Sequence, residues 1–257
     1  MKKFQKLTEK EKQAYERDGY IIVKSMYSKE EVDYLLETAR NDNYIRQSTY
    51  GRKDKDGNTT KLALWFALNK DVYSLFARSE RMVEGVELLL GGTPAHFHTK
   101  LMQKEPLVGG AWEWHQDYGY WYHDGFLLPD MISVMIALTP ANKENGCLQV
   151  LKGSHLMGRI EHGMTGDQKG ADMEKVNEAL KRMELVYVEL EPGDTLFFHC
   201  NLLHRSDKNN SIASRWSMIS TFNIAQNKPY KEQNPSCYTP LTSLPDTAIL
   251  DEKSTSL

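Results

Sequence analysis

The chain has 257 residues, 40% of them hydrophobic and 26% charged, the composition of a globular protein rather than a disordered or fibrous one. No run approaches the roughly 18 consecutive apolar residues of a membrane helix, and 32 basic against 35 acidic residues leave a net charge of -3, unlike the basic footprint of a nucleic-acid binder. Three scattered cysteines, Cys147, Cys200 and Cys237, suit neither a disulfide framework nor a zinc ribbon, and no apolar run follows the first lysines as a secretory leader would need; both point to a cytoplasmic protein.

The first 94 residues read as mainly helical. Leu7 to Arg17 forms a charged helix with Thr8 as N-cap, Gly19 ends it, and Tyr20–Val23 is a short strand. Ser28 and Glu31 fit a capping box opening a helix with apolar Val32, Leu35, Leu36 and Ala39 at helical spacing. Residues 41–60 are polar and read as a mobile loop, and a helical block runs from about Asp71 to Leu90, closed by Gly91. From residue 95 the texture turns to strands: 96–102, 131–138, 147–151 after the Asn145-Gly146 turn, 185–190, 195–199 and 215–224. Residues 157–184 form a long polar insertion with a helix over 172–183, the length of a lid or binding element, and 227–257 read as a tail. Helices first and antiparallel strands after predict one domain, mostly β with flanking α, a β-sandwich or jelly-roll barrel with the N-terminal helices on one face.

The chemistry concentrates in Trp112-Glu-Trp-His-Gln-Asp-Tyr-Gly-Tyr-Trp-Tyr122. In a strand His115 and Asp117 share a face, giving two corners of the two-histidine, one-carboxylate triad that holds non-haem iron with positions left open. A lone H-x-D proves little in a chain with eight histidines. The second half adds His204 at a strand end and, eleven residues on, Arg215, which can grip a carboxylate through two parallel charge-assisted bonds.

These segments resemble the phytanoyl-CoA dioxygenase family, closest in motif to its ectoine hydroxylase branch. The likeness covers nearly the whole chain: Tyr15-Glu-Arg-Asp-Gly-Tyr-Ile-Ile-Val23, Ser28–Val32, Trp114-His-Gln-Asp117, Asn145–Leu148 with Gly153-Ser-His155, and His204-x-Ser206 followed by Arg215. The resemblance implies a double-stranded β-helix of the cupin type, Fe(II) on His115, Asp117 and His204, and 2-oxoglutarate and O2 as cosubstrates. Arg215 would bind the far carboxylate of 2-oxoglutarate, with Ser206 assisting and Gln103 facing the cosubstrate. Asp117 favours hydroxylation over halogenation, because halogenating relatives lack that carboxylate. Succinate and CO2 are then the coproducts.

No Lys/Arg cluster suits a coenzyme A phosphate, and aromatic faces attract cations. The expected substrate is therefore a small zwitterionic or cationic metabolite, contacted by Trp114, Tyr118 and Trp121. The competing readings are an acyl-CoA or lipid-like substrate, and a non-catalytic jelly-roll binding protein. His96, His98, His123 and His155 read as structural, His199 as a buried hydrogen-bonded side chain, and the cysteines as buried apolar residues. Monomer and homodimer both remain open.

Overall fold

The computed structural model describes residues 6–165 and 167–255. Two capping boxes set the first helices. In α1 (Glu9–Asp18) Thr8 pairs with Glu11, and the chain leaves the helix through Gly19 at φ +82°, a left-handed conformation glycine adopts without a Cβ penalty. Strand β1 (Tyr20–Val23) follows. In α2 (Lys29–Asn41) the Ser28 amide donates to Glu31 Oε2 at 2.7 Å and the Glu31 amide to Ser28 Oγ at 3.3 Å. Glu31 is also buried, and Arg81 Nη2 donates to its other oxygen at 2.7 Å.

Residues 41–60 form structure rather than the expected loop. Asp42 Oδ1 accepts from the amides of Tyr44 and Ile45 and so caps a short helix, α3 (Asn43–Ser48). A hairpin of β2 (Tyr50–Lys53) and β3 (Thr59–Trp65) follows, closed by Asp54, whose Oδ1 accepts from the amides of Asp56 and Asn58. Such side-chain-to-backbone bonds are how aspartate builds turns, and a polar composition hides them. The block from 71 to 90 is two helices, α4 (Val72–Arg78) and α5 (Glu80–Leu90), with Ser79 between them.

The remaining strands are β4 (Pro94–Lys104), β5 (Trp112–His115), β6 (Met131–Ala137), β7 (Leu148–Leu151), β8 (His162–Thr165), β9 (Gln168–Ala171), β10 (Leu185–Val188), β11 (Thr195–His199), β12 (His204–Ser206) and β13 (Arg215–Ile224). A helical turn, α6 (Tyr118–Trp121), follows β5; α7 (Met173–Leu180) lies in the insertion and α8 (Ala248–Thr255) near the C-terminus. They build a seven-stranded sheet, β1-β11-β6-β13-β4-β3-β2, and a four-stranded sheet, β10-β7-β12-β5, with β8–β9 apart. Every named pairing is antiparallel. This is the double-stranded β-helix.

Alternation divides the large sheet cleanly. Its outer face buries Leu101, Val134, Ile136 and Phe197 against Leu35, Phe76, Met82 and Val86 of the helices. Its inner face contributes Met102, Met135, Leu196 and Ile219, which meet Leu148 and Val150 of the small sheet. Both layers exclude water from apolar surface, the main favourable term of folding. On β13 the partners of Arg215, Ser217 and Ile219 are Lys104, Met102 and Lys100 of β4, so all six side chains belong to the inner face. The site lies there, between the sheets.

Candidate metal centre

His115 closes β5 and pairs in register with His204, which opens β12. Asp117 is placed differently from the expectation: the strand ends at His115, and Asp117 has helical dihedrals (φ −58°, ψ −38°) leading into α6. The turn, rather than strand alternation, brings its carboxylate round. Asp117 Oδ1 lies 3.8 Å from His115 Nε2 and 4.0 Å from His204 Nε2, and one ligand atom from each residue falls within 4.8 Å of the others. All three residues are buried.

The surrounding bonds fix which atoms face the centre. His115 Nδ1 lies 2.7 Å from the Glu113 carbonyl and His204 Nδ1 2.9 Å from the Leu202 carbonyl. A carbonyl only accepts, so each Nδ1 carries the hydrogen and each Nε2 presents a lone pair inward. Ser133 Oγ donates to Asp117 Oδ2 at 2.6 Å, leaving Oδ1 toward the histidines. Burial and the neighbouring His204 push the His115 imidazole well below its ordinary range; burial also lowers His204, opposed by Asp117. Burial opposes the charge on Asp117, but Lys100, His204 and the Ser133 hydroxyl outweigh it and hold the carboxyl below its ordinary value. Two neutral imidazoles and one ionised carboxylate, each oriented by a second hydrogen bond, are the donor set of a divalent transition metal.

The centre opens into a cavity of about 350 Å3, within the range of small-molecule sites. Of the three expected substrate contacts, Trp121 lines it and Trp114 and Tyr118 do not. Between β12 and β5 the register shifts: His204 faces His115, but Ser206, two residues on, faces Trp112, three residues back. This β-bulge inserts one residue and resets the alternation. Trp112 thus joins His115 on the cavity wall, 6.2 Å between ring centroids, while Trp114 packs with Ile160, Val176 and Leu203 behind the sheet. Tyr118 misses because 118–121 is helical: its hydroxyl donates to the Phe126 carbonyl at 2.9 Å, and its ring joins Phe97, Trp121 and Phe126. Tyr120 stands against His115 instead, 5.7 Å between centroids.

Gln103 is likewise corrected. It pairs with Trp216, whose ring packs on the helical side, whereas its neighbour Met102 lines the cavity. Gln103 therefore points away from the centre. Arg215 lies on the inner face, fully buried; its Nη1 donates to the Gly146 carbonyl, and its Nε has no partner among the described residues. Burial lowers its pKa to about 10. Ser206 is buried one strand pair away, opposite Leu148.

Lys100, Met102 and Gln168 line the wall without having been read as site residues, together with Trp112 and Tyr120 of the aromatic stretch 112–122 and Arg52 of the polar 41–60 segment. His98, read as structural, also lines the cavity, with its Nε2 3.1 Å from Thr221 Oγ1. The insertion is docked through three side chains. Gln116, between two of the ligands, donates to the carbonyls of Gly158 and Asn201, both at 2.8 Å, and accepts from the Ile160 amide at 2.7 Å. His162 Nε2 accepts from the Gln116 amide at 2.9 Å. Gln168 donates to the carbonyls of Lys53 and Ala111 and accepts from the Glu113 amide. Only the His-x-Asp motif itself could have signalled Gln116; His162 and Gln168 carry no local sequence signature. The three cysteines are free and buried.

A family model described as Phytanoyl-CoA dioxygenase (PhyH) matches residues 15–217. The chain is 26% identical to the ectoine dioxygenase of Stutzerimonas stutzeri over 86% of its own length and 79% of that protein's. It is also 26% identical to the L-proline trans-4-hydroxylase of Streptomyces griseoviridis, over 86% and 88% of the two chains. In fold it is similar to the crystal structure of EctD from S. alaskensis with 2-oxoglutarate and 5-hydroxyectoine, at TM-score 0.78 and 22% identity, covering 93% of this chain and 88% of that one.

Proposed function

The chain belongs to the phytanoyl-CoA dioxygenase family of iron(II)- and 2-oxoglutarate-dependent oxygenases, and from that premise we propose that it hydroxylates an unactivated C–H bond of a small, zwitterionic or cationic metabolite. The observation that carries the reading is the buried donor set: two imidazole lone pairs and one carboxylate oxygen converge within 4.8 Å, each fixed by a second hydrogen bond. His115, Asp117 and His204 would hold iron, three ligands on one side being the arrangement that leaves positions free. When iron and 2-oxoglutarate are bound, they supply the oxidation: one oxygen atom of O2 enters the substrate and the other the succinate formed, with CO2, from 2-oxoglutarate.

The chain's own residues bind, orient and exclude water. Arg215 is a buried guanidinium with no ion-paired carboxylate among the described residues. An uncompensated buried charge is costly, and the far carboxylate of 2-oxoglutarate would relieve that cost through the two parallel bonds an arginine offers. Ser206, two residues along β12 from His204, would add a hydroxyl to the same carboxylate. Trp112, Tyr120 and Trp121 wall the cavity and keep bulk water from the reacting atoms. Halogenating relatives lack the carboxylate that Asp117 supplies, which favours hydroxylation over halogenation.

A small substrate is supported by the cavity volume and by the relatives, which are named for ectoine and L-proline. The test is anaerobic loading with Fe(II) and 2-oxoglutarate, exposure to O2 beside a metabolite panel, and mass spectrometry of succinate with product. Succinate release triggered by one small metabolite, with a mass gain of one oxygen, is the expected result. Hydroxylation of acyl-CoA thioesters alone would overturn the substrate class.

A further inference from the structure

The cavity wall carries charges beyond those of the metal centre. Three cations line it, Arg52, Lys100 and Lys169, against two carboxylates, Asp117 and Asp167. Lys100 faces Asp117, whose ionised form it stabilises. Arg52, on the β2–β3 hairpin, forms no ion pair among the described residues; its guanidinium lies over the Tyr50 ring, 5.2 Å from the centroid. The nearest acid in the hairpin, Asp54, is spent on its own turn and on the Ala111 amide at 2.8 Å. Across the mouth, Lys169 sits on β9, within electrostatic range of Asp124.

Arg52 is exposed, and the backbone beside it is held in place. Gln168 donates to the carbonyl of its neighbour Lys53 at 3.2 Å, tying the β2–β3 hairpin to the β8–β9 hairpin. The Tyr120 hydroxyl donates to the Lys169 carbonyl, and the Tyr120 ring stands against the ligand His115. The backbones that carry Arg52 and Lys169 are thus tied at the cavity wall, and Tyr120 links the second of them to the metal ligand His115. A backbone tied in this way has less freedom to lose on binding than a free loop.

We propose that the substrate carries a carboxylate, received at the cavity mouth by Arg52 with Lys169 alongside, while its reacting C–H bond points past Tyr120 to the His115–Asp117–His204 centre. The inference rests on the oxygenase reading and narrows it: a zwitterion with a carboxylate fits, and a cation without one does not. A guanidinium offers a carboxylate two parallel N–H donors, which an amide or a bare amine cannot answer in the same way.

The test uses protein loaded anaerobically with Fe(II) and 2-oxoglutarate, loading being measured first. Ectoine, L-proline and the other proteinogenic amino acids are titrated calorimetrically, each beside its carboxamide or the amine lacking the carboxyl group. L-Proline, for example, is set beside L-prolinamide and pyrrolidine. The expected result is a carboxylate ligand that binds at least about 10-fold more tightly than its amide, the scale of one charge-assisted bond. Arg52→Gln should bring that pair within about 3-fold while leaving 2-oxoglutarate affinity unchanged. A preferred amine or amide, an Arg52→Gln variant that keeps full discrimination, or a loaded protein that binds none of the carboxylates overturns the inference alone. Protein that takes up neither iron nor 2-oxoglutarate overturns the oxygenase reading and this inference with it.

Discussion

His204 stands directly across an antiparallel strand pair from His115, with ring centroids 4.0 Å apart and both Nε2 atoms turned toward Asp117. Backbone register alone therefore fixes two of the three donors, and the protein meets a metal with its ligands already converged. His115→Ala, Asp117→Ala and His204→Ala should each lose iron affinity by more than the roughly 10- to 100-fold that follows removal of an outer-shell partner. Turnover should vanish, with the far-ultraviolet dichroism of the fold retained. Iron at full stoichiometry in any one variant, measured by elemental analysis, would remove that residue from the ligand set.

Arg215→Lys keeps the charge but loses the planar fork. In a fully buried position the lysine must also find new partners for its ammonium. The 2-oxoglutarate KM should rise about 10-fold or more, whereas iron affinity should hardly change. Saturating 2-oxoglutarate should raise the Tm of the wild type and do so much less in the variant, since a ligand stabilises only the state that binds it. An unchanged KM would take Arg215 out of the cosubstrate site.

How far the sequence foretold the site depended on what set each residue's direction. The His115, Asp117 and His204 residues and the layered fold were legible because motif spacing and apolar alternation survive in the chain. The aromatic wall was not. Trp112 replaces Trp114 because a single extra residue in β5 resets the alternation, and Tyr120 replaces Tyr118 because the chain turns helical at Asp117. Gln103 failed for a related reason: one step along a strand exchanges the cavity face for the helical one. Arg52 and Gln168 reach the cavity through hairpins that Asp54 and Gln168 build from side-chain bonds, which leave no periodic signature.

Buried His96 and half-buried His199, both away from the centre, give the stability a pH dependence. Burial lowers His96 and His199 from 6.5 to about 4, His155 adding to the effect at His199. The unfolded chain takes up these protons where the folded chain refuses them. Stability should therefore fall as pH drops from about 6.5 to about 4, by at most about 1.4 kcal/mol per pH unit for each residue, with no contribution above that window. His199 Nδ1 accepts from the Asn201 amide at 3.0 Å, a bond an asparagine oxygen can replace. His199→Asn should flatten the acid limb by about one proton in urea unfolding between pH 4.5 and 7.5. An unaltered slope would assign the dependence elsewhere.

Gly119 joins α6 to the insertion through its close approach to His162. A Cβ on Gly119 would lie 2.2 Å from His162 Cε1 and 2.4 Å from its Nε2, far inside contact distance, so the imidazole must move. That ring accepts the Gln116 amide hydrogen, and Gln116 links the insertion to the loop before His204. Gly119→Ala should therefore cost about 1–3 kcal/mol, the usual range for overpacking, and should loosen the β8–β9 hairpin. Hydrogen exchange should rise at 158–171 while the helical core stays protected. His162→Ala, which removes the ring and opens space for the new methyl, should restore most of the overpacking loss when combined with Gly119→Ala, because the two positions share one contact and cannot act additively. A Gly119→Ala protein with native stability and unchanged exchange in the hairpin would show that His162 does not hold the insertion to the metal ligands.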